Sequence, residues 1–239
     1  MKHVCIYILG GFFSLLLLGG ASGVSAAEPD FLVSWKANNY VPESFLGKSF
    51  PIYQTPVTIS FELISRNVAD AGKIFDISDR DVRWYVNSRL IGKGNGLKTF
   101  TIKNSFFEGG KMNVKISVAF FDAEAKKGSQ EYFANTYLTI PVVSPKIVIQ
   151  HASFQRLVSA GSMLDVRALP LFFNGAVNSL NVAWDVSGQK PQQTSQNPFE
   201  LRISLPSPLP LDSLRVLATI GGMTDSRNRA SGSLLFDVQ

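Results

Sequence analysis

The sequence predicts an all-β chain made of two similar sandwich-like halves in tandem, behind an N-terminal export leader. Three observations predict it. Segment after segment alternates polar and apolar residues with period two, a Val-x-Trp-x-Val motif at 82–86 returns at 182–186, and no stretch carries a helical period.

The leader comes first. Lys2 and His3 precede an apolar run from Val4 to about Gly20, and Val24-Ser25-Ala26 fits the small-x-small cleavage rule, with Ser25-Ala26-Ala27 one step further on. The expected organisation is a signal peptide over residues 1–26, one sandwich over 27–143 and a second over 144–239. An apolar run of this length is also near the lower limit for spanning a bilayer, so an uncleaved anchor is the alternative. Either way the body is expected outside the cytoplasmic membrane, secreted or at the cell surface. Cys5 is the only cysteine and leaves with the leader, so the mature chain has no thiol for disulfides or catalysis.

Composition narrows the partners. The chain is 45% hydrophobic and 17% charged, which is globular rather than disordered. The formal charge of +5 falls by one when Lys2 is removed, and the basic residues are scattered, with Lys126-Lys127 no more than a pair. Nucleic acid is therefore not an expected partner, and a membrane is one only if the leader stays attached.

The strands follow in order. Phe31 to Trp35 opens the first half, and Val57 to Leu63 alternates without a fault. Val82-Arg83-Trp84-Tyr85-Val86 points Val and Trp inward, as Val114 to Val118 does its valines, and Tyr137 to Val143 closes the half. Gly92-Lys93-Gly94-Asn95-Gly96 reads as a loop between strands, because a phosphate-binding loop needs a longer spacing, a Lys-Ser/Thr ending and a following helix. The second half repeats the scheme with Lys146 to Gln150, Leu164 to Ala168, Val182 to Val186, Leu201 to Leu205, Leu214 to Ile220 and Leu234 to Val238. Phe100-x-Ile102 matches Leu201-x-Ile203 behind the Trp motif, and Val114-x-Ile116-x-Val118 matches Val216-x-Ala218-x-Ile220. Short strands, regular turn signals and a buried Trp on the third strand describe an immunoglobulin-like (Ig-like) sandwich, here without the cysteine pair. Ser144-Pro145 is the whole connection, short enough to make the halves abut.

Several segments carry a resemblance: Val82-Arg83-Trp84-Tyr85-Val86-Asn87; Tyr40-Val41-Pro42 with Gly47-Lys48 and Pro51; and Ala168-Leu169-Pro170-Leu171-Phe172-Phe173-Asn174. On these the chain resembles tandem Ig-like ectodomains of secreted proteins from candidate-phylum bacteria, over most of residues 29 to 239. Trp184-Asp185-Val186-Ser187-Gly188 is also similar to the Trp-Asp-Phe-Gly-Asp-Gly turn of PKD domains, without its Phe and second Asp. The resemblance implies a scaffold and export, with no ligand site and no assigned activity.

No catalytic constellation emerges. His151 is the sole histidine after the leader and has no Gly-x-Ser-x-Gly elbow to serve, and zinc lacks a ligand set. Asp76, Asp79 and Asp81 cluster before the third strand, where calcium is conceivable; Arg80 in their midst and the turn chemistry of Asp and Ser favour a plain turn. Glu62, Asp165 and Asp185 fall at outward or turn positions, not as a facing pair for glycoside hydrolysis. No metal, cofactor or enzymatic activity is expected.

Aromatic residues remain. Trp84 and Trp184 belong to cores, whereas Tyr40, Phe45, Phe50 and Tyr53 follow the first strand in irregular sequence, and Phe106-Phe107, Phe120-Phe121 and Phe172-Phe173 are adjacent pairs. Neighbours in a strand point to opposite faces, so one of each pair needs cover. Tandem Ig-like topology brings the turn after the second half's second strand toward the first half, which places Tyr40, Phe45, Phe50, Phe106, Phe107, Phe172 and Phe173 at an expected inter-domain contact. The functional expectation is a non-enzymatic module for adhesion, envelope structure or protein interaction, with a partner surface at residues 64–81 and 119–131. The rival is a carbohydrate-binding protein of the envelope, with aromatics such as Tyr40 or Phe45 stacking on sugar.

Overall fold

A computed structural model describes residues 29–65, 72–121, 131–151, 153, 156–192, 195–209, 212–223 and 225–239. The predicted leader over 1–26, Lys126-Lys127 and parts of the predicted partner surface lie outside the described residues.

The first sandwich contains β1 (Asp30–Ala37), β2 (Pro56–Ile64), β3 (Asp81–Val86), β4 (Arg89–Asn95), β5 (Thr99–Lys103), β6 (Lys111–Phe121) and β7 (Glu131–Pro141). They form a three-stranded sheet β1-β2-β5 facing a four-stranded sheet β4-β3-β6-β7. The second contains β8 (Lys146–His151), β9 (Leu157–Val158), β10 (Met163–Leu171), β11 (Leu180–Val186), β12 (Glu200–Ser204), β13 (Ser213–Gly222) and β14 (Arg229–Val238), in sheets β12-β10-β8 and β11-β13-β14-β9. All pairings are antiparallel except β9 on β14. The fold is two tandem Ig-like β-sandwiches.

Alternation does what it implies. On β2, Val57, Ile59, Phe61 and Leu63 point into the first core with Trp84, Val114, Ile116 and Val118. Leu164, Val166, Ala168, Trp184, Val216, Ala218 and Ile220 build the second. The two tryptophans solve one problem in one way. An indole N–H taken from water needs an acceptor, and Trp84 Nε1 donates to the Leu97 carbonyl at 3.0 Å as Trp184 Nε1 does to the Pro198 carbonyl, also at 3.0 Å.

One sequence reading needs correction. The glycine-rich stretch before Gly96 is strand, not loop: Arg83 pairs with Lys93 and Trp84 with Gly92. Glycine is there because the Phe100 ring, stacked on Trp84 at 5.8 Å, presses on the β4 backbone, and a Cβ on Gly92 would lie 2.4 Å from that ring. Low strand propensity is offset by an aromatic packed where a side chain would stand.

The halves differ at this hairpin. Asn87 and Ser88, both with positive φ, turn β3 into β4, as a two-residue hairpin turn with right-handed twist requires. Ser187 and Gly188 repeat that turn after β11, yet only the bridge between Val186 and Gln189 follows. Pro191 explains the stop, since it offers no N–H and disfavours continued pairing. Among the described residues the edge of β11 therefore lacks the strand partner that β3 has in β4.

Candidate functional site

Where the sandwiches meet, the segment after β1 touches the turn after β10. Tyr40 N–H donates to the Phe173 carbonyl at 2.6 Å, and Phe172 N–H donates to the Tyr40 carbonyl at 2.9 Å, a short antiparallel bridge between the halves. Phe173 enters the second core, fully buried. Phe172 has φ 65, a left-handed conformation that costs a non-glycine residue about 1–2 kcal/mol. That backbone turns its ring the other way, edge-on to Phe45 at 5.7 Å and Phe50 at 5.9 Å. Aromatic pairs of this geometry contribute about 0.5–1.5 kcal/mol each beyond burial, enough to hold the strained turn.

Beside the rings lies a half-buried polar clasp. Thr55 Oγ1 donates to Asn174 Oδ1 at 2.6 Å and accepts from Ile52 N–H at 3.0 Å. Asn174 Nδ2 donates to the Tyr53 carbonyl at 2.8 Å, while Asn174 N–H and carbonyl exchange bonds with the Asn228 side chain at 3.0 and 2.9 Å. Asn104, also buried, donates to the Ile52 and Phe106 carbonyls from behind. Four described polar residues are buried, Thr55, Asn104, Ser117 and Asn228; all but Ser117 serve this joint. Each has its partners, as burial demands.

A third contact closes the other side. Tyr53 and Phe107 stack at 4.5 Å with 5° between their planes, and the Arg227 guanidinium of the second sandwich lies 4.9 Å from the Tyr53 ring. Of the aromatics named from sequence, Tyr40, Phe45, Phe50, Phe107, Phe172 and Phe173 come to this joint by bridge, ring or cation contact, whereas Phe106 packs on the first core. Thr55, Asn174, Asn228 and Arg227 carry no sequence signal for it, because single polar residues in turns look alike until the chain is folded.

The other sequence candidates stand apart. Asp76 Oδ1 accepts the Ser78 N–H at 2.9 Å, and that bond, with the Ser78 hydroxyl next, holds its carboxyl below the usual carboxylate range. Asp79 pairs with Arg80 and Asp81 with Arg83, so the three carboxylates are used separately. No three potential ligands gather among the described residues. The His151 ring stands edge-on to Phe236 at 5.1 Å, with Nδ1 3.2 Å from the Ser153 carbonyl oxygen. At the far tip of the first sandwich Phe120 stacks on Tyr132 at 5.6 Å and meets Phe75 at 6.4 Å.

The outer face of the four-stranded sheet is different in kind. Register puts Leu90, Tyr85, Lys115 and Tyr137 in one row across all four strands, and Lys93, Arg83, Ser117 and Asn135 in the next. Lys115 Nζ stands 5.4 Å from the Tyr85 ring and 5.9 Å from that of Tyr137, which is 74% exposed. Arg83 covers the Phe133 ring at 4.5 Å and takes Asp81 as its partner at 2.7 Å; that bond raises the guanidinium's affinity for its proton.

No protein-family model matches the chain, and no curated protein matches it in sequence. Among solved structures it is similar to the fibronectin(III)-like modules of CbhA from Clostridium thermocellum (16% identity, 87% of this chain and 94% of that one, TM-score 0.29). It is also similar to the tandem Ig repeats of Dlar (12%, 89% and 99%, TM-score 0.28) and to domains 4 and 5 of the S-layer protein SbsC (11%, 89% and 99%, TM-score 0.34). The fold assignment rests on strand order and register, not on these scores.

Proposed function

We propose that this chain is a non-enzymatic secreted or surface module for adhesion, envelope structure or protein interaction, in which the two sandwiches act as one rigid body. The observation that carries the reading is the joint: the Tyr40–Phe173 bridge, the Phe172 ring cluster and the Thr55–Asn174–Asn228 clasp. Buried polar bonds that cross between two units cost free energy when the units separate. Loops and sheet faces on such a scaffold are then presented at a set distance and angle. The tip around Phe75, Phe120 and Tyr132 is one such surface for a protein partner.

NMR relaxation tests the rigid body: amides of both sandwiches should share one correlation time, and two independent times would overturn it. The non-enzymatic part is tested by activity-based hydrolase probes, which should leave the purified chain unlabelled. The same preparation should sediment with isolated cell envelopes.

A second reading, carbohydrate binding, is favoured by a specific feature. It is not Tyr40 or Phe45, which are engaged at the joint, but the exposed Tyr137 beside Lys115 and Tyr85.

A further inference from the structure

The outer face of β4-β3-β6-β7 has side chains that the fold does not need. Their strand partners already keep them in place, and their inward neighbours supply the core. Tyr85 and Tyr137 stand two strands apart, roughly 10 Å, and side chains on a sheet rise nearly perpendicular to it. The Lys115 ammonium lies between the two rings and over both, at 5.4 and 5.9 Å. Tyr137 and Leu90 of this row are exposed and Tyr85 is half-buried, and exposed apolar groups gathered on one face serve binding.

Charge decides the occupant. Lys93 and Lys115 have no carboxylate in salt-bridge reach among the described residues, and the one acid of β3, Asp81, is held by Arg83. The free charge on this face is positive. Asn135, bonded to Ser117 and the Phe133 carbonyl, and Thr139, which donates to Asn113 Oδ1, lie exposed on β7 and keep one amide N–H and one hydroxyl lone pair for a ligand. A ligand that fits must offer flat apolar faces to tyrosine, anionic groups to lysine and hydroxyls to Asn and Thr, repeated along a chain.

We propose that this face binds an acidic polysaccharide, with sugar rings against Tyr85 and Tyr137 and the acidic groups on Lys115 and Lys93. The proposal rests on the reading of the chain as a non-enzymatic module and names the ligand class and the site.

The test is calorimetric titration of the full chain with oligogalacturonate, with cello-oligosaccharide, poly-glutamate and a single-stranded oligonucleotide as comparison probes and reducing ends assayed in the same samples. Saturable, salt-sensitive binding of oligogalacturonate is expected, at least tenfold tighter than any of the three comparisons. Tyr137→Ala and Lys115→Met should each weaken it at least tenfold with thermal midpoints unchanged. Should Tyr137→Ala unfold, Lys115→Met and Lys93→Met carry the test alone. Equal binding of cello-oligosaccharide, poly-glutamate or a single-stranded oligonucleotide would overturn the proposal, as would wild-type affinity in the lysine variants. New reducing ends with binding retained would overturn the non-enzymatic reading while supporting the site; absent binding would overturn the site alone.

Discussion

Thr55 of the first sandwich donates its hydroxyl proton to Asn174 Oδ1 of the second at 2.6 Å, across a sequence separation of 119 residues. The same Asn174 amide donates to the Tyr53 carbonyl, and its backbone is held by Asn228. One residue, Asn174, therefore links the segment before β2, through its side chain, to the turn between β13 and β14, through its backbone.

Asn174→Ala removes both side-chain bonds and leaves the Thr55 hydroxyl and the Tyr53 carbonyl short of a partner. A buried group left so costs about 1–3 kcal/mol. The expected result is a loss of that size in denaturant melts, together with faster, independent tumbling of the two sandwiches. Unchanged tumbling would show that the rings of Phe45, Phe50 and Phe172 suffice.

Gly92→Ala puts a methyl where the Phe100 ring stands, 2.4 Å away. Overpacking of this kind costs about 1–3 kcal/mol, and the cost should fall when Phe100 is replaced by Leu. A double-mutant cycle on thermal stability measures the coupling; additive effects would mean that the ring does not dictate the glycine.

Acid should weaken the turn before β3. The Asp76 carboxyl is depressed in the folded chain by the Ser78 N–H and hydroxyl, so its contribution is complete above the ordinary carboxylate range and is lost as pH falls from that range through the lower folded value. Asp76→Asn keeps an acceptor that does not titrate. The variant should lose less stability than the parent below about pH 4, measured by parallel acid-to-neutral melts.

Pro191→Thr restores a backbone donor where the second sandwich's hairpin stops. Pairing should extend beyond the Val186–Gln189 bridge, and hydrogen exchange at β11 amides should slow. Exchange at the parent rate would assign the stop to something other than proline.

Much of the architecture was legible along the chain. Strand and core at Val57 to Leu63, Val82 to Val86 and Val182 to Val186 follow from period two alone, because a strand's faces alternate. The leader lies outside the described residues. The glycines of β4 misled for a physical reason: propensity counts what a residue prefers, whereas Gly92 answers to a ring eight residues on.

The sequence by itself determined that this protein is all-β with two Ig-like sandwiches in tandem, since periodicity and the repeated Trp motif are local properties of the chain. Tertiary structure alone decided which groups meet. Thr55 finds Asn174, Lys115 finds Tyr85 and Tyr137, and among the described residues β11 keeps an open edge where β3 has none, because register and the joint between sandwiches depend on contacts between residues far apart in sequence.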